Sequence, residues 1–158
     1  MEASVIELLK YNEEVRHRYF ETLASLSWDE LVKNREASFE SLRNVFIHTV
    51  GCSDYWLDFL LNEHRRTQGK YEDYISVKQI RDYMEHVEAR MNVYIEDLRP
   101  SDLEKKYIRK INFGASIEVT AEDVLIHLFE EEVHDRGELI ALLWQMGIEP
   151  PPMGWRGL

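Results

Sequence analysis

The 158-residue chain has a single cysteine, Cys52, which excludes an internal disulfide and any multi-cysteine zinc site. As a lone thiol on an apolar helix face, Cys52 reads as core packing rather than as a nucleophile. Basic charge is also scarce. The 19 lysines and arginines stand against 30 aspartates and glutamates, a net charge of −11, and such a surface makes duplex nucleic acid a poor partner. No apolar run approaches the roughly 20 residues of a membrane span. The N-terminal stretch MEASVIELLKYNEEVRHRYF lacks the basic flank and unbroken apolar segment of a signal peptide. No membrane partner and a cytoplasmic location are therefore expected.

What the chain does have is apolar residues at helical spacing. They make up 44% of the sequence, too many for a disordered chain, and the length fits one domain spanning residues 1–158. Val5, Leu8, Leu9, Val15, Tyr19, Leu23 and Leu26 predict a first long helix from Ala3 to about Leu26, with no obvious chemistry on it. Ser27 to Glu30 carries a capping-box pattern that opens a short turn or helix, and Trp28 is expected to close one end of the fold. Leu42, Val45, Phe46, Cys52, Trp56, Phe59 and Leu60 share a face of a second helix, predicted from about Ser38 to Arg66. Ser76 with Gln79 caps a third that runs to about Leu98, ahead of Pro100. Residues 101–119 break the period around Gly114 and read as a long crossing loop or a short hairpin. Pro150, Pro151 and Pro152 enforce an extended tail whose Met153 and Trp155 can pack back on the body.

The stretch from Thr120 to Gly147 predicts the fourth helix, with a Thr120–Asp123 capping box at its start and Gly147 as its stop. Within it Glu131 and Asp135 lie four residues apart, one turn from each other, and can converge on one cation. Both border the apolar stripe, where a carboxylate loses hydration unless something compensates. Other pairs in the same run are His127 with Glu131, Glu130 with His134, and Glu131 with His134, although both histidines project toward the polar side. Charged residues on an amphipathic helix can equally be a solvated face. On the second helix His48, Cys52, Tyr55 and Phe59 form one row, so the imidazole points inward, either as a hydrogen-bonded core residue or as a ligand. Four long amphipathic helices with one long non-helical crossing between the third and fourth predict an all-α four-helix bundle, an architecture that builds metal sites from facing helices.

The segments NVFIHTVGCSDYWLDFLL and TAEDVLIHLFEEEVHDRGELIALLWQMGIEPP, with the order helix, helix, helix, crossing, helix, make the chain similar to the DinB/YfiT-like superfamily of bacterial stress-associated four-helix bundles. The resemblance implies a divalent metal held by one histidine of the second helix and two histidines spaced i, i+4 before an Arg-Gly pair on the fourth. His48 matches the first. Alignment on Arg136-Gly137 puts Glu131 and Asp135 at the other two, so two imidazoles are replaced by carboxylates, and His134 is adjacent. One nitrogen with two carboxylates moves the preference from zinc or nickel toward manganese or ferrous iron. The family further implies a hydrolase or a thiol-dependent S-transferase, in stress response or detoxification, acting on a small molecule with or without a low-molecular-weight thiol. The alternative is a non-catalytic bundle with a degenerate metal site. The apolar tail, Ile148 to Trp155, predicts a homodimer.

Overall fold

In the computed structural model, residues 4–111 and 114–155 are described. Four long helices carry the fold: α1 (Val5–Ala24), α3 (Leu42–Leu61), α4 (Val77–Asp97) and α6 (Ala121–Gln145). Between them lie the short α2 (Trp28–Val32), the single turn α5 (Pro100–Leu103), and an antiparallel hairpin of β1 (Lys106–Lys110) and β2 (Ser116–Thr120), with Lys106 opposite Thr120 and Lys110 opposite Ser116. The four-helix bundle is as expected. The crossing takes the hairpin form, preceded by a helical turn that Pro100 can open because its missing N–H is one a helix start leaves unpaired.

Local chemistry sets the helix ends. Ser4 accepts from the Glu7 N–H while Glu7 accepts from the Ser4 N–H. Thr120 and Asp123 do the same for α6. Ser27 and Ser76 cap as predicted, accepting from the backbone of Glu30 and Gln79. At the far end of α6, Gly147 adopts φ 70°, and the Ile148 and Gly147 amides donate to the carbonyls of Leu143 and Trp144, a Schellman stop that a residue with a Cβ adopts only under strain.

The second helix is shorter than the predicted Ser38 to Arg66. It begins after Ser41, whose hydroxyl accepts from the Asn44 N–H, and ends at Asn62, left-handed at φ 53°. Ser38 is instead tied to α6, its N–H and hydroxyl donating to Glu138 at 2.8 and 2.5 Å. Beyond Asn62, Asp54 draws the loop back: buried on α3, it accepts from the Thr67 and Gln68 amides at 2.8 and 3.0 Å, from the Tyr83 hydroxyl at 3.2 Å and from Arg90 at 2.8 Å. The first helix likewise ends at Ala24, and Ala3 lies outside the described residues.

Two apolar clusters fill the bundle. One holds Tyr19, Phe20, Phe46, Ile47, Met84 and Leu143, and Trp28 packs against it as expected; the other holds Trp56, Leu57, Met91, Leu125 and Leu128. Between them on α3, α4 and α6 lie buried polar residues: Thr49 and Ser53, Glu88, and Glu132, Asp135 and Arg136. From α1, Arg16 enters this layer and forks onto Glu132 (Nε and Nη2 at 3.1 and 2.6 Å) while its Nη1 donates to Glu88 at 2.8 Å. His17 meets the other Glu88 oxygen at 2.9 Å. The first helix therefore carries the guanidinium that joins α1, α4 and α6, contrary to its bland sequence. Removing one member of a buried ion-pair network leaves the others uncompensated, at a cost of about 3–5 kcal/mol. Arg16→Met should lower the unfolding free energy by that order in urea titrations. A loss below about 1 kcal/mol would show that the network is solvated and energetically neutral.

Candidate metal centre between two helices

The side chains that can hold an ion come from the facing surfaces of α3 and α6. His48 and Cys52 are one turn apart on α3, with Cys52 Sγ 3.4 Å from His48 Nε2. Asp135 of α6 points at them, its Oδ2 lying 4.0 Å from the same nitrogen. One donor atom from each of His48, Cys52 and Asp135 lies within 4.8 Å of the other two. Glu131, one turn before Asp135, reaches the group through the thiol, with Oε2 3.8 Å from Cys52 Sγ. Its other oxygen, Oε1, is 3.4 Å from His127 Nε2.

The surroundings fix these groups in place. Phe39 stacks on the His48 ring at 3.9 Å between centroids, 21° from parallel. Asp135, 1% exposed, accepts from the Thr49 hydroxyl at 3.2 Å and has His134 Nδ1 at 3.3 Å from its second oxygen. His127 stands edge-on to Trp56, with ring centroids 5.2 Å apart. Gln68 lies over Gly51, where a Cβ would run into its side-chain amide, so the loop held by Asp54 passes over the residue that precedes Cys52 on α3. A groove of about 660 Å³ lined by Leu61, Arg65, His86 and Arg90 lies elsewhere, and no residue of the His48 cluster lines it.

Burial raises the Asp135 carboxyl above the usual carboxylate range, and the charge of Glu131 adds to the rise, while His48, His134 and Thr49 oppose it. The Cys52 thiol is pushed up to about 12, first by burial and then by the charges of Asp135 and Glu131. Burial, Cys52 and Asp135 together raise Tyr71 as well. Negative charge is thus crowded into a partly dry place without a resident cation: among the described residues no lysine or arginine makes an ion pair with Asp135 or Glu131. Arg136, next in sequence, turns away. Its Nη2 donates to Asn12 at 3.0 Å, its Nε and Nη1 are buried without a partner, and the guanidinium sits 5.4 Å from the Tyr11 ring. Among the described residues it pairs with no carboxylate.

Of the residues singled out in sequence, His48 and Asp135 meet directly, and Glu131 joins them through Cys52. His127 and His134 stand on the rim, as their angular positions implied. Cys52 packs against the apolar cluster as read, and it also places its sulfur among the donor atoms; the signal available was its i, i+4 spacing from His48.

Because burial raises the folded-state value of Asp135 above that of the unfolded chain, this carboxyl's contribution to stability is full below the unfolded value and is lost as pH rises through the folded one. In metal-free protein near pH ~7, Asp135→Asn should therefore raise Tm. The gap should close toward pH ~4. A variant less stable than the wild type at both pH values would mean that the ionised carboxylate is a net stabilising partner of His48.

The comparisons with known proteins agree with this architecture. Uncharacterized protein YizA of Bacillus subtilis (strain 168) is 25% identical over 153 residues, covering 92% of this chain and 90% of YizA. The crystal structure of a DinB-like protein from Bacillus cereus ATCC 10987 superposes with a TM-score of 0.70 at 21% identity, covering 94% of each chain. That of a DinB-like protein from Bacillus subtilis, YjoA, gives 0.68 at 18% identity, over 95% of this chain and 99% of the other. Those two likenesses establish the fold. The sequence pattern described as the DinB family matches residues 1–157, and the chain belongs to that family.

Proposed function

We propose that the protein is a divalent-metal-dependent enzyme, a hydrolase or a thiol-dependent S-transferase acting on a small molecule in stress response or detoxification, with its ion at His48, Asp135 and Glu131. The observation that carries this reading is a buried aspartate facing an imidazole across two rigid helices at 4.0 Å, with no lysine or arginine among the described residues paired to it. Nitrogen and carboxylate donors suit manganese, iron, nickel or zinc. When bound, the ion supplies Lewis acidity, which makes water or a low-molecular-weight thiol a stronger nucleophile at neutral pH. The chain's own residues do the rest. Phe39 holds the plane of His48, Thr49 and His134 orient the Asp135 carboxylate, and Glu131, steadied by His127, is placed to accept a proton from a nucleophile.

The second reading is a non-catalytic bundle that binds a ligand or another protein. It is favoured by the same 4.0 Å separation, which makes His48 and Asp135 a self-sufficient ion pair whenever the imidazole is protonated. Thermal shifts of untagged protein over a panel of divalent ions separate the two. Binding to the native state alone adds about 2.7 kcal/mol at a hundredfold excess over Kd. The enzyme reading expects a selective rise in Tm that disappears in His48→Ala and Asp135→Ala and survives in Glu130→Ala. A response that persists in both alanine variants refutes the ligand set, and a wild type indifferent to every ion favours the second reading. With the preferred ion present, turnover of esters or amides without thiol identifies a hydrolase; turnover of an electrophile only with a small thiol identifies a transferase.

The proposal includes a homodimer, on a different basis from the tail. Trp155 packs edge-on to Tyr11 of its own chain at 5.2 Å, and Pro151 and Pro152 accept hydrogen bonds from Tyr19 and Arg18. Trp144, 58% exposed on α6, is an apolar surface that remains available. Light scattering should give twice the 18.9 kDa chain mass; that single-chain mass across micromolar concentrations rejects the dimer.

A further inference from the structure

His48 and Cys52 present their donor atoms to the same space from successive turns of α3, and Glu131 meets the thiol from α6. In a tetrahedral shell with ordinary zinc bond lengths, neighbouring sulfur and nitrogen donors lie about 3.6 Å apart, and nitrogen and oxygen donors about 3.4 Å. Here Sγ to Nε2 is 3.4 Å and Nε2 to Asp135 Oδ2 is 4.0 Å. The thiol therefore already stands at a coordination-edge distance from the imidazole, and the carboxylate is about 0.6 Å beyond one. Glu131 is arranged differently. Its Oε2 lies 3.8 Å from the sulfur and its Oε1 3.4 Å from His127 Nε2, and it is not one of the three residues whose donor atoms all lie within 4.8 Å of one another, so it leans on the donor group from outside.

We infer that Cys52 is an inner-shell ligand, bound as thiolate with His48 and Asp135, and that Glu131 stands outside that shell beside an open fourth position. The inference rests on the proposed metal reading and revises its ligand set, with Cys52 taking the inner place given there to Glu131. One sulfur, one nitrogen and one oxygen form a softer set than one nitrogen and two carboxylates, and the preference moves back from manganese to zinc, with cobalt as its spectroscopic stand-in. On binding, the sulfur–metal bond forms and the thiol proton passes to solvent. Asp135 and Glu131, which oppose a bare thiolate, are the same charges that attract the cation.

The test is a titration of metal-free, untagged protein with cobalt(II), followed in the near-ultraviolet and the visible. Expected are visible ligand-field bands saturating at one ion per chain, together with a near-ultraviolet sulfur-to-cobalt charge-transfer band. Zinc should erase both, and a matching concentration of manganese should erase neither. Cys52→Ser should keep the visible bands and lose the charge-transfer band, and its zinc affinity should fall by more than the roughly 10–100-fold that loss of an outer-shell partner costs. Glu131→Gln should keep the charge-transfer band. Visible bands without a charge-transfer band in the wild type overturn the thiolate ligand and leave the metal reading standing. Absence of any cobalt or zinc binding overturns the metal reading itself.

Discussion

The bundle depends on the fork from Arg16 to Glu132 and its third bond to Glu88. Three helices that are distant in sequence meet at one guanidinium, whose partners lie 116 and 72 positions away. Buried charges cost several kcal/mol each to dehydrate, and their attraction offsets that only when geometry and hydrogen bonding are good. Two bonds to one carboxylate and one to another meet that condition. The network fixes the register of α1 against α6, and with it the height at which the next turn of α6 presents Asp135.

That register decides what the polar layer can do. On one side of α6, Glu132 is satisfied by Arg16; on the other, Glu131 and Asp135 face α3, and among the described residues no lysine or arginine pairs with them. Arg136, next to Asp135 in sequence, is instead drawn toward Asn12 and Tyr11 of α1. The two helix faces thus divide a run of charged residues into a neutralised structural half and an unneutralised half. An unneutralised buried carboxylate beside an imidazole is costly in the empty protein and suited to a cation, the pattern by which sites trade stability for function.

Much of this was legible in the sequence because it follows from local periodicity. The four long helices, the caps at Ser27, Ser76 and Thr120, the stop at Gly147 and the inward position of His48 all come from spacing within one segment. The early end of α3 was not legible, since Asp54 pulls the following loop back onto the helix through partners that include Tyr83 and Arg90 of α4. Nor was the role of Arg16 or Asn12, polar residues inside an apolar stripe whose meaning lies in partners on other helices. Cys52 does pack against the apolar cluster, as read, but its place beside the donor atoms was hidden for a related reason. A small apolar-compatible side chain on a core-facing row looks like packing until α6 brings Asp135 and Glu131 against it.

The central claim is that the space between His48 and Asp135 is an ion site. Crystals of untagged protein grown with zinc, measured on both sides of the zinc absorption edge, test it most directly. The account predicts one anomalous peak per chain between α3 and α6, within bonding distance of His48 Nε2 and an Asp135 oxygen. An anomalous map without a peak there, with His48 and Asp135 still facing each other as a closed pair, would contradict it.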